Sequence, residues 1–231
     1  MSKSKIESGV RHIILVEGTH DKDFVDQLLL EHHLASAQVQ VLPLGGKTIL
    51  GSSLRILVND PAFSEIQSLV ILRDADSIAP DPNFTVEQLE QQATRTAAMR
   101  SLESVKSSLL NARLNVPSAH AEITQSSPRI GIYIFPGGQA DGMLESLCRD
   151  ALQGHADTPC IDAFFDCVFK LRSTAEFSPK AWTHAFIAVQ DDPDLHLGKA
   201  AKKGYLPLTN PVFEHLIQFI RTALHSDQNN E

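Results

Sequence analysis

Long apolar runs are missing from this chain. None of its stretches approaches the roughly 20 consecutive apolar residues a membrane-spanning helix needs, so a membrane partner is not expected. The start, Met1-Ser2-Lys3-Ser4-Lys5, is basic, but the apolar segment behind it is short and runs into Glu17, which is not the pattern of a secretory signal. Cysteine is scarce: Cys148, Cys160 and Cys167 are odd in number and have neither CxxC nor Cys/His zinc-finger spacing. A disulfide framework and a zinc finger are therefore excluded, and the three read as reduced core thiols of a cytoplasmic protein. Two phosphate-binding signatures are also absent, since no GxGxxG follows the first strand and no GxxxxGK[ST] occurs. Bases are outnumbered, 20 against 28 acids for a formal charge of −8, which argues against a nucleic-acid coat protein. It does not argue against an enzyme whose metal site is itself a cluster of acids.

What the chain does have is a short apolar run, Ser68-Leu69-Val70-Ile71-Leu72-Arg73, that stops at Asp74-Ala75-Asp76. Such a run, bounded by polar residues, reads as a buried strand. Its end carries Asp74 and Asp76 to the rim of a sheet. Two carboxylates that close repel each other, and a divalent cation is the usual reason to hold them together. Hard oxygen donors suit Mg²⁺ or Mn²⁺. A polar turn explains the same residues without chemistry. A second run, His12-Ile13-Ile14-Leu15-Val16, ends in Glu17-Gly18. If the two strands are parallel neighbours, Glu17, Asp74 and Asp76 converge at one carboxyl edge, where open α/β sheets place their ligands.

Between these strands, a helix opens at Thr19 or His20 with Asp21 and Asp23 in its first turn and Phe24, Val25, Leu28 and Leu29 on its apolar face. His32 and His33 near its end read as exposed. A strand over 38–43 leads into Gly45-Gly46-Lys47, which is either a backbone cradle for a phosphate or a plain strand-to-helix turn. A helix follows over 49–58. Residues 77–84 read as a loop, and a helical stretch runs from Thr85 to about Ala112. A polar connector over 117–128 precedes a fourth strand, 129–135. Asp141 starts a helix that puts Glu145 in its first turn, near the same sheet edge or as an ordinary helix N-terminal acid. Beyond residue 160 the pattern is helical only, with helices over 161–170, from Pro179, over 194–203 and from Asn210 to Leu224. The alternation of strand and helix predicts an α/β fold with a parallel four-stranded sheet and a helical C-terminal portion. The expected organisation is an α/β domain over 1–155, a helical extension over 156–225 packed on it, and a polar tail over 226–231.

A strand ending in Glu-Gly, a later strand ending in Asp-x-Asp and a Gly-Gly loop between them resemble the Toprim domain of topoisomerases, bacterial primases, small maturation ribonucleases and OLD-type nucleases. The resemblance covers residues 11–150. The rest, including Phe135-Pro136, Gly142-Met143-Leu144-Glu145, Lys180-Ala181 and Leu197-Gly198-Lys199-Ala200-Ala201, resembles a small stand-alone prokaryotic Toprim family of unknown function. The resemblance implies a Rossmann-like sheet. It matches Glu17 to the Toprim glutamate, also a general acid or base, and Asp74 and Asp76 to the metal-binding Asp-x-Asp. Asp21 and Glu145 fall where OLD-type nucleases carry further acids, and Lys180 where they set a cation on the scissile phosphate. Gly137-Gly138 departs from the pattern, which places an acid there.

Together these imply a Mg²⁺-dependent (or Mn²⁺-dependent) nuclease acting on DNA more readily than RNA, in concert with a separate ATPase subunit and in a setting such as phage defence. Lys199, Lys202 and Lys203 either join Lys180 at the phosphate or form a solvated helix face. Tyr133 lies inside a strand and Tyr205 in a late turn, so no tyrosine is placed as a strand-breaking nucleophile. A different class of function stays open: a non-catalytic module that senses nucleic acid or nucleotide for that ATPase.

Overall fold

The structure, a computed structural model, describes residues 6–46, 49–75, 96–138, 141–172 and 178–225. Four strands form one all-parallel sheet: β1 (His12–Val16), β2 (Val39–Pro43), β3 (Ser68–Asp74) and β4 (Arg129–Phe135), in the order β2-β1-β3-β4. Eight α-helices lie among the described residues. They are α1 (Thr19–Glu31), α2 (Leu50–Val58), α3 (Ala97–Asn111), α4 (Leu144–Ala151), α5 (Thr158–Arg172), α6 (Pro179–Ala188), α7 (Leu197–Lys202) and α8 (Glu214–Leu224). None of the described helices is long and apolar enough to cross a membrane.

The strands form because their apolar residues have both faces of the sheet to fill. In β3, Leu69 and Ile71 pack with Leu54 and Leu57 of α2 and Val105 and Leu109 of α3. The alternate residues, Val70 and Leu72, face the other way, toward α1 and the C-terminal helices. Register follows from this alternation: Ile14 of β1 sits between Val41 of β2 and Val70 of β3. The predicted extension over 156–225 shares that second core, since Phe165, Trp182, Phe186 and Ile220 belong to one cluster with Ile14 and Phe24.

The last helix is anchored by charge as well as by burial. The Arg129 guanidinium at the start of β4 donates from Nη2 to the carbonyls of Thr222 (2.9 Å), Ala223 (2.6 Å) and His225 (2.9 Å). Those carbonyls lie at the C-terminal end of α8, where unpaired acceptors and the helix dipole favour a cation. Arg129→Met keeps the stem and removes the donors. We expect it to lower unfolding stability by about 1.5–3 kcal/mol, read as a shifted urea midpoint at unchanged slope.

Several expectations change in detail. Only Cys148 is a core thiol; Cys160 and Cys167 are exposed, because α5 turns Ile161 and Phe165 inward and leaves the other side to solvent. His32 is not free at a helix end: its Nε2 lies 2.9 Å from the Leu208 carbonyl, joining α1 to the segment before α8. The helix expected from Asp141 begins at Leu144. Asp141 instead accepts a hydrogen bond from the Ala97 amide (2.7 Å) at the start of α3, and Gly142 bridges backbone to Ala75. The 117–128 connector is not detached from the sheet: Ile123 bridges to Gly131 and Ala121 N–H donates to Ile132 O (2.8 Å), covering the edge of β4. Helix α7 starts at Leu197 rather than residue 194, capped by His196. The loop expected over 77–84, the first part of the 85–112 helix and the tail 226–231 lie outside the described residues.

Candidate metal and phosphate site

Chain direction reverses between β1 and β3. From β1 the chain moves outward to β2, then crosses back to β3 on the other side, so the first crossovers leave in opposite directions. A crevice opens at the carboxyl ends of strands at such a point. Glu17 follows β1 and Asp74 ends β3, one on each side of it. The Glu17 carboxylate accepts from the Asp74 amide (3.3 Å) and lies 3.6 Å from Nε of Arg73, a nearly buried arginine. Arg73 stands inside the strand the sequence singled out. Its role there could have been read from its position alone, a lone cation in a buried run one residue before the acid.

The Asp74 carboxyl points the other way, as strand alternation requires, and its Oδ1 accepts from the Leu144 amide (2.9 Å) at the start of α4. The next residue is Glu145. Asp21, in the first turn of α1, accepts the Gly18 amide through Oδ2 (2.8 Å). Asp21 and Glu145 line one cleft of about 210 Å³ with Lys180 and His184 of α6, His20 of α1 and Leu197 of α7.

Helix α6 is aimed at this cleft by its packing. Ser178 caps it and Pro179 takes the first-turn place where a missing N–H costs nothing. Trp182, Thr183, Phe186 and Ile187 are buried, with Trp182 Nε1 donating to Asp162 (2.7 Å) and Arg149 stacked 5.7 Å over its ring. Lys180 and His184, one turn apart at the edge of that buried face, are thereby left on the cleft side. His20 and His184 escaped the sequence reading. The signal available was their spacing: His20 adjoins Asp21, and His184 follows Lys180 by one turn.

Electrostatics bind these groups into one unit. Burial, then the charges of Glu17 and Glu145, push the Asp74 carboxyl up to about 8, and Asp21 adds to this. Asp21 and Glu145 are also raised, each chiefly by burial. Lys180 works against the rise at both, with the Gly18 amide at Asp21 and His184 at Glu145. A cluster of acids that holds its protons to this degree is a site built for more positive charge than it contains.

The structure therefore brings Glu17, Asp21, Asp74 and Glu145 to one end of the sheet and sets Lys180 beside them. Asp76 and Lys47 lie outside the described residues. Gly45 and Gly46 serve the strand end instead. Both are in the left-handed region (φ 85° and 127°), and both amides donate to the Glu17 carbonyl (3.0 and 3.1 Å). They fix the end of β1 rather than stand open to a phosphate. Lys203 is paired with Asp192 (2.8 Å), and Lys199 and Lys202 line a separate groove. Gly138 cannot be the acid the resemblance calls for without moving the His120 ring, which lies where a Cβ would go.

The donors suit a hard divalent cation. They are carboxylate oxygens, and Asp21 Oδ1 and Asp74 Oδ2 make no hydrogen bond among the described residues. Among the described residues no group of three or more His, Cys, Asp or Glu already stands in metal-holding geometry.

A family model described as "Protein of unknown function (DUF3226)" matches residues 11–225, so the chain belongs to that family. No curated protein matches the chain significantly, and neither does any solved structure.

Proposed function

Starting from membership of that family, we propose that this chain is a metal-dependent phosphodiesterase acting on nucleic acid, a Toprim-type nuclease. One observation carries the reading: four carboxylates from the end of β1, α1, β3 and α4 gather near the switch point of a parallel sheet, where burial and the charges of the other three raise the proton affinity of Asp74, with a lysine lining the adjoining cleft. Glu17, Asp21, Asp74 and Glu145 would hold Mg²⁺ or Mn²⁺. The metal, when bound, activates water and neutralises charge on the phosphoryl oxygens. Lys180 faces a non-bridging phosphate oxygen across the cleft. Arg73 and the Asp74 amide hold the Glu17 carboxylate in place for metal binding or proton transfer. The buried floor limits water around these groups, which strengthens each charge interaction there.

The test is plasmid nicking by the purified protein in Mg²⁺ and in Mn²⁺ with Asp74→Ala in parallel. The expected result is cleavage by the wild type and a loss of at least about a hundredfold in the variant. Equal cleavage by both proteins would contradict the assignment.

A second reading, a non-catalytic sensing module of a separate ATPase, is supported by apolar surface on the C-terminal helices. Phe164 and Val189 are exposed around a groove of about 450 Å³ between α5 and α6, and Leu171 is exposed farther along α5. Full tolerance of Asp74→Ala in cells, with the fold intact, would favour this reading.

A further inference from the structure

A second cavity adjoins the carboxylate cleft and has no part in the metal chemistry. It is a groove of about 490 Å³ along α1, between the start of β2 and α7. The two cavities share their walls. The cleft touches α1 at residues 19–21 and α7 at Leu197, whereas the groove continues along α1 from Asp23 to Leu30 and along α7 from Gly198 to Lys202. Where they meet, the rings of His20 and His196 lie face to face, with centroids 4.2 Å apart and planes 2° apart. His20 is exposed, so the outer face of this stack is open to solvent.

The groove is polyanion-receptive in spite of the chain's acidic balance. Of its two acids, Asp26 pairs with Lys22; Asp23 lies 3.4 Å from Nε2 of His196, whose Nδ1 accepts the Lys199 amide, so Asp23 meets a ring N–H and keeps its charge, one acid against two lysines. Its two lysines, Lys199 and Lys202, are exposed and have no carboxylate partner among the described residues. Their neighbour Lys203, which does not line the groove, is paired with Asp192. The floor, from Leu29, Leu30 and Val39, is apolar. A planar stack, unspent cations and an apolar floor in sequence are the parts of a single-strand track, in which bases stack on rings and lysines follow the phosphates.

We propose that the substrate is a single nucleic-acid strand. It runs from the carboxylate cleft over the His20–His196 stack and into this groove, with Lys199 and Lys202 on its phosphates. This rests on the phosphodiesterase reading and adds to it the strandedness and the path. Residues 19–30 of α1 span roughly 16 Å, so a dinucleotide fills the cleft alone and a longer strand reaches the lysines.

The experiment is fluorescence anisotropy with a labelled deoxythymidine 15-mer and a labelled dinucleotide, on the full chain in Ca²⁺, at several salt concentrations. Lys199→Gln with Lys202→Gln is expected to weaken 15-mer binding about tenfold at 0.15 M salt and to reduce the log–log salt slope by about 1.4, two single-strand phosphate contacts' worth. Dinucleotide binding should not change. His20→Ala should weaken the 15-mer at least about fivefold, and Lys203→Gln should leave it unchanged. Wild-type affinity in the double lysine variant, an equal loss from Lys203→Gln, or tighter binding of a 15-base-pair duplex would each overturn the track. If the lysines prove silent while metal-dependent cleavage persists, only the track fails. If the wild type neither binds the 15-mer nor cleaves, both readings fail.

Discussion

Asp74→Asn should make the metal-free protein more stable while removing its metal response. The wild-type carboxyl is held up to about 8 by burial and by Glu17 and Glu145, against an ordinary value of 3.8. Between those two pH values the unfolded chain has released this proton and the folded chain still binds it. Folding stability therefore falls as pH rises through that window and levels off above pH 8. At neutral pH the accumulated cost is on the order of a few kcal/mol, and the raised affinities of Asp21 and Glu145 act in the same direction. An asparagine keeps the acceptor for the Leu144 amide and cannot ionise. The expected gain in melting temperature for a chain of this size is roughly 5–10 °C at pH 8, shrinking toward pH 5. Mg²⁺ should raise the wild-type melting temperature by mass action and leave the variant's nearly unchanged. A variant less stable than wild type at pH 8 would contradict this view of the cluster.

Gly198→Ala should be among the most damaging single changes outside the cluster. A Cβ at this position would lie 2.8 Å from both His20 O and Phe24 N and would run into the Asp23 side chain. Those neighbours are largely helix backbone and cannot step aside, so α7 must lift off α1. Overpacking of this kind costs about 1–3 kcal/mol or more. Because α7 and its cap His196 set Leu197 in the cleft wall and His196 against His20, the displacement should also disturb the site. Thermal unfolding together with cleavage rate checks both effects, and a variant as stable and active as wild type would contradict them.

Much of the sheet was legible in the sequence, because parallel strands read as short apolar runs, with β1 and β3 stopping at acids and β2 and β4 running into proline and glycine. Glu17 and Asp74 were legible for the same reason, since each ends or follows a strand. The meeting of Lys180 with Asp21 and Glu145 was not readable from local pattern. It depends on α6 packing through Trp182, far along the chain from β1, and only the family resemblance pointed to it. Gly45-Gly46 left two readings open because a glycine pair before a lysine looks the same whether its amides face a phosphate or, as here, the Glu17 carbonyl. Cys160 and Cys167 misled because low-polarity side chains on a helix do not announce which side is covered.

The central claim is that the carboxylate cluster holds a proton that a divalent cation displaces. Mg²⁺ or Mn²⁺ calorimetry at pH 7, in two buffers of different ionisation enthalpy, measures this directly. With Asp74 held up to about 8, most of it is protonated at pH 7. Metal binding should then release about one proton, and at pH 9 the release should largely vanish. Heats that do not depend on the buffer at pH 7, or metal binding that survives Asp74→Asn unchanged, would contradict the account.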